Sequence, residues 1–355
     1  MPKVSFLLPV YNGATYLAET LASLQAQDHD DYDVVVIDDG STDQTPDIVA
    51  EFAARSGAPS IQYHRRAQSG LVDTLNHGLT LLDCDFVARI DADDVCLPSR
   101  LSQQLDFIAF TGAAAVSARS LHIDAAGQVL GLSGLHNHFD ADPRRLPAAE
   151  PYLPHPFLLA RLDVLANLGF RHAHLAEDAD LCWRLAERWP IAMQNAVLGR
   201  YRLHDASVST RSAASIKVQA FYSQVSALNA VRREQGRDEV PYDASMAEAL
   251  AAGTQGWDAL IALLRNHLLD DEAPRLRVAA MLKLLDIAEW RGYTPTVQDM
   301  TDAASALRDI RGANGLEPAV IDRLFANAAQ TQDDARQNSQ TRGFGERIRG
   351  FLRRG

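Results

Sequence analysis

Cysteine is scarce in this 355-residue chain: Cys84, Cys96 and Cys182 form no CxxC pair, and any one bridge leaves one over. That excludes a disulfide framework and fits a reducing, cytoplasmic setting. Basic charge is short as well, with 34 Lys and Arg against 46 Asp and Glu and a net charge of −12. The balance speaks against a general nucleic-acid binder, although a local basic patch would escape that argument. No apolar run approaches the roughly 18–20 residues of a membrane-spanning helix. The opening "MPKVSFLLPVYNG" has a short apolar run that stops at Pro9 without a small-residue cleavage site, so it reads as a first core strand and not as a secretion signal. Both familiar phosphate loops are missing: no GxGxxG follows the first strand, and no GxxxxGK ending in Ser or Thr occurs anywhere. Phosphate bound here would have to meet a metal ion and not a glycine-rich loop.

What is present is an alternation of strand and helix patterns over the first hundred residues. "VSFLLPV" and "DVVVID" are continuous apolar runs, the mark of strands covered on both faces. Leu17, Leu21 and Leu24 keep helical spacing between them. Ser41 or Thr42 suits the cap of the next helix, Pro46 its first turn, and Ile48, Val49 and Phe52 its inner face. "SIQYH" reads as a third strand, Leu71, Leu75, Leu79 and Leu82 stripe a further helix, and "DFVARID" is a fourth strand. Such alternation predicts a parallel, right-handed βαβ sheet with helices on both faces.

Beyond Thr111 the pattern changes. "AAAVSARSLHI" and "VLGLSG" flank "DAAG" as an antiparallel hairpin, and "DADPRRLPAAEPYLPHP" is a long polar, proline-rich loop of the kind that carries function. "EDADLCWRLAERW" is a helix with Leu181 and Leu185 inward. From about Ser212 the chain reads as helical, striped by Val218, Phe221, Val225, Leu228 and Val231, by Leu260, Leu263, Leu264 and Leu268, and by "RLRVAAMLKLLDIAEW". The expected organisation is a first domain at 1–212, a helical domain at 213–330, and a flexible linker with a basic amphipathic tail at 331–355. Residues 342–355 carry five arginines against one glutamate, with Phe344, Ile348, Phe351 and Leu352 on one helical face. That tail suits either peripheral contact with an anionic membrane or a solvated helix.

Carboxylates mark the strand ends. In an open parallel sheet, ligands sit beyond the carboxyl ends of the strands, and three such ends carry "PVYNG", "DDGSTD" and "DADD". Asp38 leaves its strand half enclosed and is placed to accept a hydrogen bond from a base or a ribose; Gly40 permits a turn with positive φ, and Ser41 bonds backbone groups. The same segment also reads as a plain turn and cap. Asp91, Asp93 and Asp94 are harder to explain structurally. Three carboxylates in four residues repel unless a cation compensates, and Mg²⁺ or Mn²⁺ does so with oxygen ligands.

"PVYNG", "DDGSTD", "QSGLVDTLNHGL", "RIDADDVCLPSRL", "AEDADLCWRL" and "YRLHDASVS" occur in this order, and over about residues 3–210 the chain resembles the inverting family 2 glycosyltransferases of GT-A fold. The resemblance implies an α/β, Rossmann-like, mostly parallel sheet with helices on both faces, followed by a helical region. It implies a nucleotide-sugar donor, UDP-linked in most members. Pro9, Val10, Tyr11 and Asn12 would border the nucleoside, Asp38 would bind the base, and Gly40, Ser41, Gly70 and Asn76 would lie on the donor side. Asp91, Ala92 and Asp93 fill the DxD position on ribose and metal, with Asp94 and His204 as further metal contacts. One departure is "TLN" at Thr74–Asn76 where the family often has Ala-Arg-Asn, so a basic donor contact is missing or comes from elsewhere.

By the same resemblance Asp178 is the general base that deprotonates the acceptor hydroxyl, and His155, Glu177 and Trp183 form the acceptor side. Acidic residues in a first turn also complement the helix dipole, and a tryptophan there also packs in a core. Asp180, two positions on, faces elsewhere and reads as structural. The acceptor implied is a saccharide or lipid-linked hydroxyl in surface polysaccharide synthesis. The competing readings are a nucleotidyltransferase that makes a nucleotide-sugar, which would want a glycine- and basic-rich first loop that "PVYNGATYLAE" lacks, and a non-catalytic nucleotide-binding scaffold, which would not need every carboxylate. "HNH" at His136–His138 reads as a polar loop.

Overall fold

Runs of enclosed aliphatic residues become the central strands. The computed structural model describes residues 3–132, 151–204, 213–245, 247–248, 257–268, 276–277, 279–280 and 283. Val4–Val10 (β1) is buried at every position, and Tyr32–Asp38 (β2) at all but its first. Between them lies Leu17–Gln25 (α1), and Thr45–Ala53 (α2) leads to Ser60–Arg65 (β3). Leu71–Leu79 (α3) and Phe86–Arg89 (β4) complete the alternating part. β3, β2, β1 and β4 lie side by side and pair in parallel, as continuous apolar runs require. Leu82 falls beyond the end of α3 but still packs against the core.

Past β4 the sheet turns mixed. Val95–Cys96 (β5) leads to Arg100–Thr111 (α4), and Ala115–Ile123 (β6) with Val129–Leu132 (β7) makes the expected antiparallel hairpin. Leu159–Arg161 (β8) runs antiparallel to both β4 and β6, and Leu162–Leu168 (α5) follows it. Glu177–Ala186 (α6) then precedes Ile191–Arg202 (β9), which pairs in parallel with β6 and antiparallel with β5. Among the described residues this is one nine-stranded sheet in the order β3-β2-β1-β4-β8-β6-β9-β5, with β7 on β6. One apolar layer forms on each face: Phe6, Leu8, Val34 and Phe52 belong to one, Leu7, Val35, Ile37 and Leu185 to the other.

β9 gave no signal in the sequence, and the reason is visible. Its register against β6 shifts between Ala118 and Arg119 and again between Arg119 and Ser120. β9 carries two extra residues at the first shift and one at the second, so "IAMQNAVLGRYR" never shows a sustained period of two. The cap expected of Ser41 or Thr42 is also absent. α2 starts at Thr45, whose backbone N–H is taken by Asp43 at 3.0 Å, while the Ser41 hydroxyl turns to the neighbouring loop.

Described residues fall into two compact units, one within 3–204 and one from Ala213 onward. In the second, Ala213–Glu234 (α7) buries Val218, Val225 and Val231, with Phe221 and Leu228 partly covered. The Gln224 amide meets the His267 ring at 3.0 Å on Trp257–Leu268 (α8), which buries Leu260 and Leu264. Most of the third apolar stripe, most of the proline-rich loop, "HNH", the linker and the basic tail lie outside the described residues. No helix among the described residues is long and apolar enough to cross a membrane.

Gly199 on β9 packs so closely on Phe157 that an added Cβ would lie 2.0 Å from the ring. Gly199→Ala should therefore destabilise the protein by roughly 1–3 kcal/mol through overpacking. Gly131→Ala, where a Cβ meets nothing within 4 Å, should stay within about 0.5 kcal/mol of the parent. Urea unfolding of both variants measures the contrast; equal midpoints would contradict it.

Candidate active site

The loops after β1 and β2 are stitched into one rim. Asn12 sits at φ 52°, a left-handed conformation that asparagine tolerates, and its backbone N–H donates to Ser41 Oγ at 2.9 Å. Thr42 N–H donates to Asn12 Oδ1 at 2.8 Å, and Gly13 N–H to Thr45 Oγ1 at 2.9 Å. Pro9 and Val10 are enclosed within β1, so of the four residues expected to border the nucleoside Tyr11 and Asn12 are the exposed ones. Gly40, at φ 86°, admits the following loop, because a Cβ there would sit 3.0 Å from the Gln68 backbone N. Asp39 ties that loop down by accepting the Ser69 and Gly70 N–H groups, each at 2.8 Å, which sets Gly70 at the start of α3.

Asp38 is fully buried. Its Oδ1 accepts Ser41 N–H at 2.7 Å, its Oδ2 accepts the Tyr63 hydroxyl, and Arg65 Nε stands 3.9 Å away. Burial beside this carboxylate raises the Tyr63 hydroxyl pKa, so the phenol remains a donor. A base reaching Asp38 would have to share it with Tyr63.

At the end of β4 the chain enters the acidic turn Asp91–Asp94. Thr20 Oγ1 on α1 donates to the carbonyls of Ala92, at 3.0 Å, and of Asp94, at 2.8 Å, which fixes the turn. One carboxylate oxygen from each of Asp91, Asp93 and Asp94 lies within 4.8 Å of the others. Asp94 is completely buried; its Oδ1 accepts Arg202 N–H at 2.8 Å, and its Oδ2 has no hydrogen-bond partner. Burial, then the charges of Asp91 and Asp93, hold the Asp94 carboxyl well above the usual carboxylate range. Burial also raises Asp91, against the opposing pull of Arg89. Three convergent carboxylates with an orphaned buried oxygen fit a divalent oxygen-seeking ion such as Mg²⁺ or Mn²⁺. His204 Nε2 stands 2.8 Å from Asp93 Oδ2, on the rim of the same cluster.

Helix α6 brings the second acidic pair. His174 and Leu175 both take positive φ, 44° and 69°, just before the helix, a strained reversal of the kind found at functional sites. Asp178 Oδ1 accepts Ala179 N–H at 2.7 Å, and Oδ2 accepts the Tyr152 hydroxyl at 3.2 Å. Burial raises the Asp178 pKa while these two bonds and Arg89 oppose it. Glu177 is pushed up to about 7 by burial and by the Asp178 charge. His155, buried, places Nδ1 4.0 Å from Glu177 Oε1, and burial followed by the Arg89 charge drives its pKa well down, so the ring is neutral. Arg89, almost wholly enclosed, is ion-paired to Asp91, and its charge also reaches Glu177.

Comparison with known proteins fits this geometry. Residues 5–169 match the family model described as Glycosyl transferase family 2. Over that stretch, a little under half of the chain, the protein is similar to glycosyltransferase family 2. EpsE of Bacillus subtilis (strain 168), itself assigned as a glycosyltransferase only provisionally, is 34% identical over 107 residues, which are 30% of this chain and 38% of that protein. The uncharacterized glycosyltransferase RT0329 of Rickettsia typhi is 31% identical over 107 residues, 30% of this chain and 32% of its own length. The chain thus spans well under half of the curated relatives it matches. Among solved structures, S. aureus TarS 1-349 in complex with UDP-GlcNAc is similar at TM-score 0.55 and 18% identity, covering 87% of this chain and 91% of TarS 1-349. Mannosyltransferase PcManGT from Pyrobaculum calidifontis, in complex with GDP-Man and Mn²⁺, gives TM-score 0.52 and 17% identity, covering 94% and 88%. The fold is of the GT-A type.

Not every expected residue reaches the site. Asn76 is turned away: its amide both donates to Phe170 O at 2.9 Å and accepts Phe170 N–H at 2.7 Å, bracing α3 against the segment after α5. Trp183 is 2% exposed and belongs to the packed interior, so it offers no open face to a sugar. Asp180, as expected, is structural, buried against Arg184 at 2.7 Å. The residues that sequence reasoning missed are Arg89, Tyr152 and Arg202. Arg202 donates to Asp93 O at 2.9 Å and pairs with Glu19 at 2.6 Å, with its guanidinium 4.6 Å from the Tyr16 ring centroid. A basic residue closing an otherwise apolar strand, as in "FVAR", was the available signal for Arg89.

The raised Glu177 gives a pH signature. Between its ordinary 4.5 and about 7 the folded protein holds a proton that the unfolded chain has released, so stability falls as pH rises through that window. Glu177→Gln, always neutral, should lose less stability there, by up to about 1.4 kcal/mol per pH unit. Chemical denaturation at pH 5 and pH 7 tests this; parallel losses in parent and variant would refute it.

Proposed function

We propose that the unit at residues 3–204 is an inverting, metal-dependent glycosyltransferase that moves a sugar from a nucleotide-sugar to an acceptor hydroxyl. The observation that carries this reading is the convergence of Asp91, Asp93 and Asp94 with Glu177 and Asp178 around Arg89. The family match supports it, as do the GT-A neighbours whose structures hold UDP-GlcNAc or GDP-Man with Mn²⁺. UDP is the donor nucleotide we favour, and a saccharide or lipid-linked hydroxyl in surface polysaccharide synthesis the acceptor. The reaction would take place on the cytoplasmic side.

In this reading the acceptor oxygen attacks the anomeric carbon from the face opposite the diphosphate. A C–O bond forms as the bond to the phosphate oxygen breaks, and the acceptor proton passes to Asp178. Tyr152 and the Ala179 N–H hold the Asp178 carboxylate in place, and burial keeps it more basic than an ordinary aspartate. Such a base contributes typically about 10²–10⁴-fold to rate. Asp93 and its neighbours would hold the divalent ion, which when bound offsets negative charge on the diphosphate. Tyr11 and Asn12 border the nucleoside at the rim, and Arg65, exposed beside Asp38, is the nearest cation to the base subsite.

Asp178→Asn should keep UDP binding and lower turnover by about 10²–10⁴-fold. Asp93→Ala should weaken Mn²⁺-dependent UDP binding itself. Isothermal titration of UDP with and without Mn²⁺, alongside UDP release from a panel of nucleotide-sugars, measures both. Undiminished turnover in Asp178→Asn would remove the base assignment, and UDP binding indifferent to Mn²⁺ would remove the metal.

A further inference from the structure

Three carboxylates form the acidic turn, but they do not have equivalent partners. Asp93 reaches the His204 imidazole at 2.8 Å. Asp94 accepts one backbone N–H through Oδ1 and leaves Oδ2 buried without a hydrogen-bond partner. Asp91 alone of the three is ion-paired to a side chain with a permanent charge, Arg89.

That cation is enclosed. The Arg89 side chain is 3% exposed, and its backbone is clamped on both sides: its N–H donates to Leu158 O at 2.8 Å, and its carbonyl accepts from Arg100 Nη2 at 2.8 Å. Arg100 is itself fully buried between the Phe6 and Phe157 rings, at 5.6 and 5.3 Å, so the clamp is rigid. Arg89 is thus enclosed beside Asp91 and anchored at its backbone, which keeps its charge next to that carboxylate. An ion seated between Asp91 and the other two would face the enclosed guanidinium across the same carboxylate and be repelled by it.

We propose that Arg89 is a built-in counter-ion that commits Asp91 to itself and leaves Asp93 and Asp94 as the protein ligands of the divalent ion. Arg89 is in this sense a positioning residue. It neutralises one carboxylate of the turn, and from the same spot its charge acts on Glu177 and Asp178. The inference rests on the divalent-ion reading above and divides the ligand set within it.

The test is direct Mn²⁺ titration of the full chain without nucleotide, followed by the electron paramagnetic resonance signal of free Mn²⁺. Arg89→Met with Asp91→Asn deletes a pair of zero net charge, and a buried pair replaced as a whole is commonly tolerated. That double variant should bind Mn²⁺ within about threefold of the parent, whereas Asp93→Asn should weaken binding by about tenfold or more. Arg89→Met alone, which releases Asp91, should tighten Mn²⁺ by at least about threefold, a direction opposite to that of general damage to the fold. A folded double variant that loses about tenfold makes Asp91 a ligand and overturns the inference, as does weaker binding in folded Arg89→Met. Parent protein that binds no Mn²⁺ at all would instead sink the metal reading on which it stands.

Discussion

Five carboxylates, those of Asp91, Asp93, Asp94, Glu177 and Asp178, share one neighbourhood with the enclosed guanidinium of Arg89, and the rest of the unit is arranged to hold them there. Like charges at this spacing in a poorly solvated place oppose folding. Burial raises the carboxyls of Asp91, Asp94, Glu177 and Asp178, and for the first three a neighbouring acidic charge adds to it. A globular protein has no structural need for such a cluster, since one aspartate would cap the helix that follows. The repulsion makes sense as a standing demand for positive charge, which Arg89 meets in part.

The scaffold supplies the rigidity this demands. Parallel strands β1, β2 and β4 end at one edge of the sheet, so the loops after them are neighbours whatever their sequence. Those loops are then bonded to one another through Ser41, Thr45 and Asp43 on one side and Asn12, Gly13 and Ala14 on the other. On the far side β9 returns beside β5 and delivers Arg202, whose backbone and guanidinium both hold the acidic turn. α6 enters from the region after β8, with Tyr152 and His155 contributed by the segment that leads into that strand. The site thus takes one wall from the parallel half of the sheet and one from the mixed half.

Much of the first wall could be read from the chain itself. β1, β2, β3, β4 and α1 to α3 follow from apolar runs and leucine spacing, and the turn at "DADD" announced an unusual charge density. The second wall was less legible. β9 hides behind two register shifts, β8 is three residues long, and Tyr152 sits in a loop whose composition says nothing about where its hydroxyl points. Trp183 and Asn76 fitted the motif pattern but turned inward. A motif position fixes a residue type, whereas the direction of the side chain depends on which neighbour its helix packs against.

What the sequence determined by itself is therefore local. Periodicity and composition set the alternating strands and helices, the strand ends that carry carboxylates, and the absence of a glycine-rich phosphate loop. Only the tertiary structure decided which charges meet. Arg89 and Glu177 are 88 positions apart in the chain, and their electrostatic contact exists because β8 pairs against β4 and carries α5 and α6 with it. Charges interact through space at a strength set by distance and burial, and neither quantity is written in the order of residues until the chain has folded.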